Sequence, residues 1–130
     1  MAIFACEPAG ALDAMESVKQ NRIVPRRSPN TLADGLRTSL GERTLPMLRR
    51  HGTGCLTVGA EEIGQAMPFA SERLTLVSEP ASAVAVVPLR RQAPQLVGKR
   101  VDVVLTGGHV AWWRPWPRLD STEPMQQEGG

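Results

Sequence analysis

The chain has 130 residues, enough for one small domain that buries roughly two-thirds of the surface its unfolded form exposes. Its 15 Lys and Arg against 13 Asp and Glu leave a net charge of +2. The basic residues are scattered rather than gathered into a stripe, which argues against nucleic acid as a partner.

The opening MAIFACEPAG lacks the basic start of a signal peptide, and no stretch reaches the roughly 18 apolar residues of a membrane span. The two cysteines, Cys6 and Cys55, lie in apolar stretches and form no CxxC pair or disulfide framework. They read as packed core residues of a soluble protein of a reducing cytoplasm, with no membrane partner. The arginine pairs Arg26-Arg27, Arg49-Arg50 and Arg90-Arg91 read as solvated surface.

The first element is a strand at 2–7 (AIFACE), followed by a short helix at 11–20. A second helix is expected at 44–51 (TLPMLRRH) and a second strand at 55–59 (CLTVG). The clearest helical pattern covers 60–77, where Ile63, Ala66, Met67, Ala70, Leu74 and Val77 recur on one face and Glu61 and Glu62 occupy the positive end of the helix dipole. A fourth helix opens at Pro80, because proline suits a first helical turn. Pro68 and Pro88 sit inside helical patterns, where a missing hydrogen bond and a ring clash call for kinks or shortened helices. The third strand, VDVVLT at 101–106, completes three near-continuous apolar runs of the kind covered on both faces of a sheet. Strands alternating with helices predict an α/β fold with a partial parallel sheet and flanking helices. Domain structure extends to residue 116; residues 117–130 are polar, aperiodic and expected to be disordered.

Ligands of open parallel sheets sit at the carboxyl ends of the strands. Here those ends carry Glu7-Pro8, Gly59 and Thr106-Gly107-Gly108. Glycines admit a sharp turn or a close ligand, and the threonine offers a neutral donor and acceptor. Taken alone, TGG after a strand is an ordinary turn. No GxGxxG or GxxxxGK[ST] is present, which disfavours a nucleotide-binding domain.

The order of several such features carries more. The run ACEP with Ala11 and Asp13 behind it, then TLADGLRTSLGERTLPMLRR, the AEEI helix, SEP, and VVLTGGHV resembles the C-terminal part of serine racemases and threonine/serine dehydratases. These are fold-type II pyridoxal-phosphate enzymes, and the likeness extends nearly colinearly from residue 2 to about 110. It implies the C-terminal part of the large domain of such an enzyme, with pyridoxal 5'-phosphate as cofactor. By position, Thr106 matches the hydroxyl residue at the cofactor's pyridine nitrogen, and Gly107 and Gly108 match the glycines that follow it. Asp34 and Gly35 match a loop beside the cofactor, with tight-turn geometry as the plain alternative. Glu79 matches a glutamate near the cofactor, or simply precedes a helix start. Glu7, the Ala11 carbonyl and Asp13 match a divalent-cation site whose hard oxygens suit Mg²⁺ or Ca²⁺; otherwise Asp13 is an early helix residue.

The departures count equally. His109 stands where the family usually has asparagine and reads as a turn or surface histidine. Trp112, Trp113 and Trp116 read as packing residues. In the family, the Schiff-base lysine and the glycine-rich phosphate loop lie upstream of the matched region, so the resemblance assigns no catalytic residue here. Lys99 lies seven residues before Thr106, roughly 23 Å along an extended chain, and Lys19 ends a helix. The small domain is also unmatched. The resemblance therefore implies a fragment of a dehydratase (ammonia-lyase) or racemase for hydroxy amino acids, inactive alone, with homodimerisation or complementation by an N-terminal part as its partnership. A non-catalytic remnant or a binding or regulatory partner on the same half-sheet is the alternative.

Overall fold

The computed structural model describes residues 1–25 and 28–108. The expectations for Arg26 and Arg27, His109, the three tryptophans and the 117–130 tail lie outside these residues.

Two parallel strands, β1 (Phe4–Pro8) and β2 (Gly54–Val58), pair in the register Phe4 to Gly54 through Pro8 to Val58. The ladder is closed at its start by Thr53, whose amide donates to the Ile3 carbonyl and whose Oγ1 accepts from the Ile3 amide. It is prolonged at its end by the Ala9 amide on the Val58 carbonyl, 2.8 Å. Side chains alternate across a strand, so Cys6, Pro8, Leu56 and Val58 share one face while Ala5, Glu7, Cys55 and Thr57 share the other. The first face meets the core, in which Val58, Ile63, Ala66, Met67, Ala83, Val84, Val86 and Val87 are buried together and Cys6 packs against them.

Helix α1 (Asp13–Gln20) follows β1 and ends at Asn21, whose left-handed φ of 54° asparagine tolerates. Its buried face is polar: Ser17 is fully buried, donating from Oγ to the Asp13 carbonyl and accepting from the Val24 amide at 2.9 Å. A 3₁₀ turn at Asp34–Leu36 precedes α2 (Thr44–His51), which occupies the residues expected of it. Helix α3 (Ala60–Leu74) buries Ile63, Ala66, Met67 and Ala70, the predicted face. Glu62 reaches back to the Gly59 amide at 2.7 Å and satisfies one of the donors that a helix start leaves open. The helix runs through Pro68, which sits on its exposed side. It stops three residues short of expectation, at Thr75 with φ 56°.

The fourth predicted helix is two short ones, α4 (Pro80–Ala83) and α5 (Val87–Arg90), with Pro80 and Pro88 each in a first turn. Proline here limits helix length, as expected. Arg91 pairs with Glu62 at 3.4 Å and Arg90 donates to Gln65 at 2.8 Å, tying the end of α5 to α3.

One expectation fails. Residues 101–106 form no strand. Half-buried Val101, Val103 and Leu105 alternate with exposed Asp102, Val104 and Thr106, the signature of an extended chain, and Leu105 packs on the core. A strand also requires a neighbouring ladder, and the only sheet among the described residues has two strands, β1 and β2. Within the strands the buried residues are Pro8, Leu56 and Val58 on the core face and Glu7 on the opposite face.

Candidate functional site

Three loops meet at the start of α4. Glu79 caps that helix through its backbone, its carbonyl accepting from the Ser82 and Ala83 amides at 3.0 and 2.9 Å. The Asp34–Leu36 turn packs beside it: a Cβ placed on Gly35 would lie 3.1 Å from the Ala81 Cβ, and Leu36 and Ala81 both rest on the core. From the other side comes Thr106-Gly107-Gly108. A Cβ on Gly108 would stand 3.4 Å from the Val77 carbonyl oxygen, and one on Gly107 would run into the Glu79 carboxylate. The structure thus gathers Asp34, Gly35, Glu79, Thr106, Gly107 and Gly108, which lie up to 74 residues apart in sequence, into one neighbourhood.

Local chemistry fixes each loop. In the first, Thr31 Oγ1 accepts from the Ala33 amide at 3.1 Å, a threonine turn. Arg37 then donates from Nη2 to the Thr31 carbonyl at 2.9 Å and stands 3.2 Å from Asp34 Oδ1, closing the loop on itself. Sequence reasoning passed over Arg37; its position three residues after Asp34 was the available signal. In the last loop, Gly107 takes φ 82°, a backbone conformation that favours glycine. Thr106, Gly107 and Gly108 are all exposed, and Glu79 is half-buried. The rim thus presents one hydroxyl, glycine backbone and one carboxylate.

The second predicted group sits at the end of β1. Glu7 is buried, and both its oxygens face α1, Oε1 accepting from the Ala14 amide at 3.0 Å and Oε2 from Met15 at 2.8 Å. Asp13 Oδ2 accepts from the Leu40 amide at 3.1 Å. Ala11 and Asp13 line an open cavity of about 420 Å³ with Glu16 and Arg22; Glu7 does not. These carboxylates are thus engaged with backbone donors. Among the described residues no group of three or more His, Cys, Asp or Glu is arranged to hold a metal ion. The arrangement gives a divalent cation no support.

The cysteines differ from their sequence reading in one respect. Cys6 packs on the core, and burial raises its thiol pKa. Cys55 instead donates its thiol to Glu7 Oε2 at 3.6 Å. Burial first, then the Glu7 charge and this hydrogen bond, push its pKa up to about 12. The raised pKa keeps this thiol protonated near neutral pH and lowers its reactivity. Lys19 and Lys99 are both exposed.

No helix among the described residues is long and apolar enough to cross a membrane. The pyridoxal-phosphate dependent enzyme family matches residues 1–107. The chain is 36% identical over 109 residues to the L-threo-3-hydroxyaspartate ammonia-lyase of Saccharomyces cerevisiae, covering 83% of this chain and 33% of that protein. It is 34% identical over 112 residues to human serine racemase, again covering 83% and 33%. Among solved structures, the T.th. threonine deaminase superposes with a TM-score of 0.78 at 34% identity, covering 85% of this chain and 41% of the other. Dictyostelium discoideum serine racemase gives 0.77 at 33%, covering 85% and 36%. The chain spans about a third of the length of these curated relatives. With the family match extending over almost all of the described fold, and its relatives sharing that fold at a third of their residues, the chain belongs to the pyridoxal-phosphate dependent enzymes.

Proposed function

We propose that the chain forms the C-terminal part of the large domain of a pyridoxal-phosphate enzyme that acts on hydroxy amino acids, either an ammonia-lyase that removes the β-hydroxyl or a racemase. The observation that carries this reading is the convergence of the Asp34-Gly35, Glu79 and Thr106-Gly107-Gly108 loops on the start of α4. When bound, pyridoxal phosphate supplies an electron sink for the pair left at the substrate Cα after proton removal.

The chain's own residues would orient that group. The Thr106 hydroxyl, exposed at the rim, would hold the pyridine nitrogen as a neutral hydrogen-bond partner, which would temper the sink and suit β-elimination. The absence of a Cβ lets Gly35 pack against Ala81 and Gly107 against the Glu79 carboxylate, which brings the loops together at the rim. Glu79 supplies negative charge at the same rim. Neither lysine serves as the Schiff base: Lys19 and Lys99 are exposed, and Lys99 is roughly 23 Å from Thr106 along the chain. The lysine therefore comes from polypeptide outside these residues, and this chain by itself has no turnover. The exposure of both lysines favours, as a second reading, a non-catalytic binding or regulatory partner built on this half-fold.

The test is a titration of the purified chain with pyridoxal phosphate, followed by borohydride reduction, adduct mapping and an assay of 2-oxo acid release from serine, threonine and 3-hydroxyaspartate. The proposal expects cofactor binding without a reduced adduct at either lysine and without oxo acid. A specific adduct on Lys19 or Lys99 accompanied by turnover overturns it.

A further inference from the structure

We infer that Gly107 is a positioning residue whose missing side chain forms the seat of the Glu79 carboxylate, holding that charge against the Thr106–Gly108 turn. This goes beyond a role for the glycine in letting the cofactor approach, and it rests on the cofactor reading above.

The geometry is direct. A Cβ on Gly107 would lie 2.8 Å from Glu79 Oε2, 2.5 Å from Cδ and closer still to Oε1. All three atoms of the carboxylate group therefore lie over the face that a side chain would occupy. The backbone at φ 82° turns that face towards Glu79 and is itself a conformation that other L residues adopt at a cost. The other half of the seat is equally fixed. The Glu79 carbonyl holds the first turn of α4 through Ser82 and Ala83 and also accepts from Ser78 Oγ at 3.3 Å, so the main chain under the carboxylate cannot slide. Gly108 lies beside the Val77 carbonyl, where an added Cβ would stand 3.4 Å from the oxygen, so the two segments run next to each other here. Because Thr106 is the next residue along, seating Glu79 on Gly107 places a carboxylate beside the hydroxyl assigned to the pyridine nitrogen. Charge near that nitrogen is one of the ways in which a protein tunes this cofactor.

The prediction is a coupling between two positions. Gly107→Ala introduces both the clash and the backbone strain, whereas Gly107→Asn keeps the clash but better tolerates the positive φ. Glu79→Asp withdraws the carboxylate by one carbon–carbon bond, roughly 1.5 Å, and makes room for a Cβ. Thermal unfolding of the full chain should show Gly107→Asn lowering Tm by about 4 °C or more in the native background, and by little in the Glu79→Asp background. Pyridoxal-phosphate affinity, read by fluorescence titration, should fall about tenfold in Gly107→Ala and largely return in the Gly107→Ala, Glu79→Asp double variant. A structural glycine alone would give the same loss in both backgrounds, and that result overturns the seat. Affinity that is unchanged in all of these variants while Tm couples would limit the pair to stability and overturn the positioning role. If the native chain binds no cofactor, the proposed function fails, and the Tm cycle still decides whether Gly107 seats Glu79.

Discussion

Replacing Glu7 by Gln tests the most heavily used carboxylate in the fold. Glu7 is buried with each oxygen on a different α1 amide, at 3.0 and 2.8 Å, and it also accepts the Cys55 thiol. Glutamine keeps one acceptor, so one amide bond survives in neutral form. Its NH₂ then meets an amide donor where an acceptor stood. A hydrogen bond to a charged group is worth about 1.5–3 kcal/mol and an orphaned buried donor costs about 1–3 kcal/mol; losing the favourable charge at the helix start removes about 0.5 kcal/mol more. These overlap, and a net loss of about 3 kcal/mol is the expected size, equivalent to about 10 °C in Tm for a domain of this length. Urea and thermal unfolding followed by circular dichroism measure it. The same variant removes the charge and the acceptor that raise the Cys55 pKa, so alkylation of Cys55 should accelerate. A loss below about 0.5 kcal/mol with unchanged Cys55 reactivity would show that Glu7 does not cap α1 and would refute the reasoning.

Other outcomes follow from the same structure. Pro68→Ala restores an amide donor on the exposed side of α3 and should stabilise the chain by about 1–3 kcal/mol in urea unfolding; no gain would mean that the helix is already broken there. Thr75→Gly relieves a β-branched residue at φ 56° and should raise stability by about 1 kcal/mol, read as a shift in urea midpoint. Ile63→Ala empties a fully buried core position and should cost about 2–5 kcal/mol in the same assay. Cys55, with its pKa raised from 9.0 to about 12, is protonated in the fold at pH values where the unfolded thiol ionises. The unfolded state then binds fewer protons, so this stabilising contribution is complete below pH 9, declines above it and is gone past pH 12. Stability measured across that window should fall less steeply in Cys55→Ala. At pH 8 the native thiol should react with iodoacetamide roughly thirty-fold more slowly than a free cysteine, after lower thiolate content is set against higher nucleophilicity.

Much of the fold is legible in the sequence. Periodicity locates α3 by Ile63, Ala66, Met67 and Ala70, and the Pro80 signal places the start of α4, because both depend on residues adjacent along the chain. The end of α3 at Thr75 is not legible: Val77 continues the apolar spacing, but no composition rule puts a threonine in the left-handed region. The 101–106 segment has strand composition and lacks a ladder, since pairing is a property of neighbours rather than of a sequence run. At the site, resemblance names the loops, while their meeting at α4 and the Glu79–Gly107 contact emerge only from packing. The Arg37 brace and the Cys55 hydrogen bond escape a sequence reading because they act through a carbonyl and a carboxylate that spacing does not place.

The central claim is that the three loops around the start of α4 face the cofactor. The most direct measurement is amide chemical-shift mapping of the full chain during addition of pyridoxal phosphate. The account predicts saturable shifts concentrated at Gly35, Glu79, Thr106, Gly107 and Gly108. Shifts confined to other surfaces, or none at saturating cofactor, would contradict it.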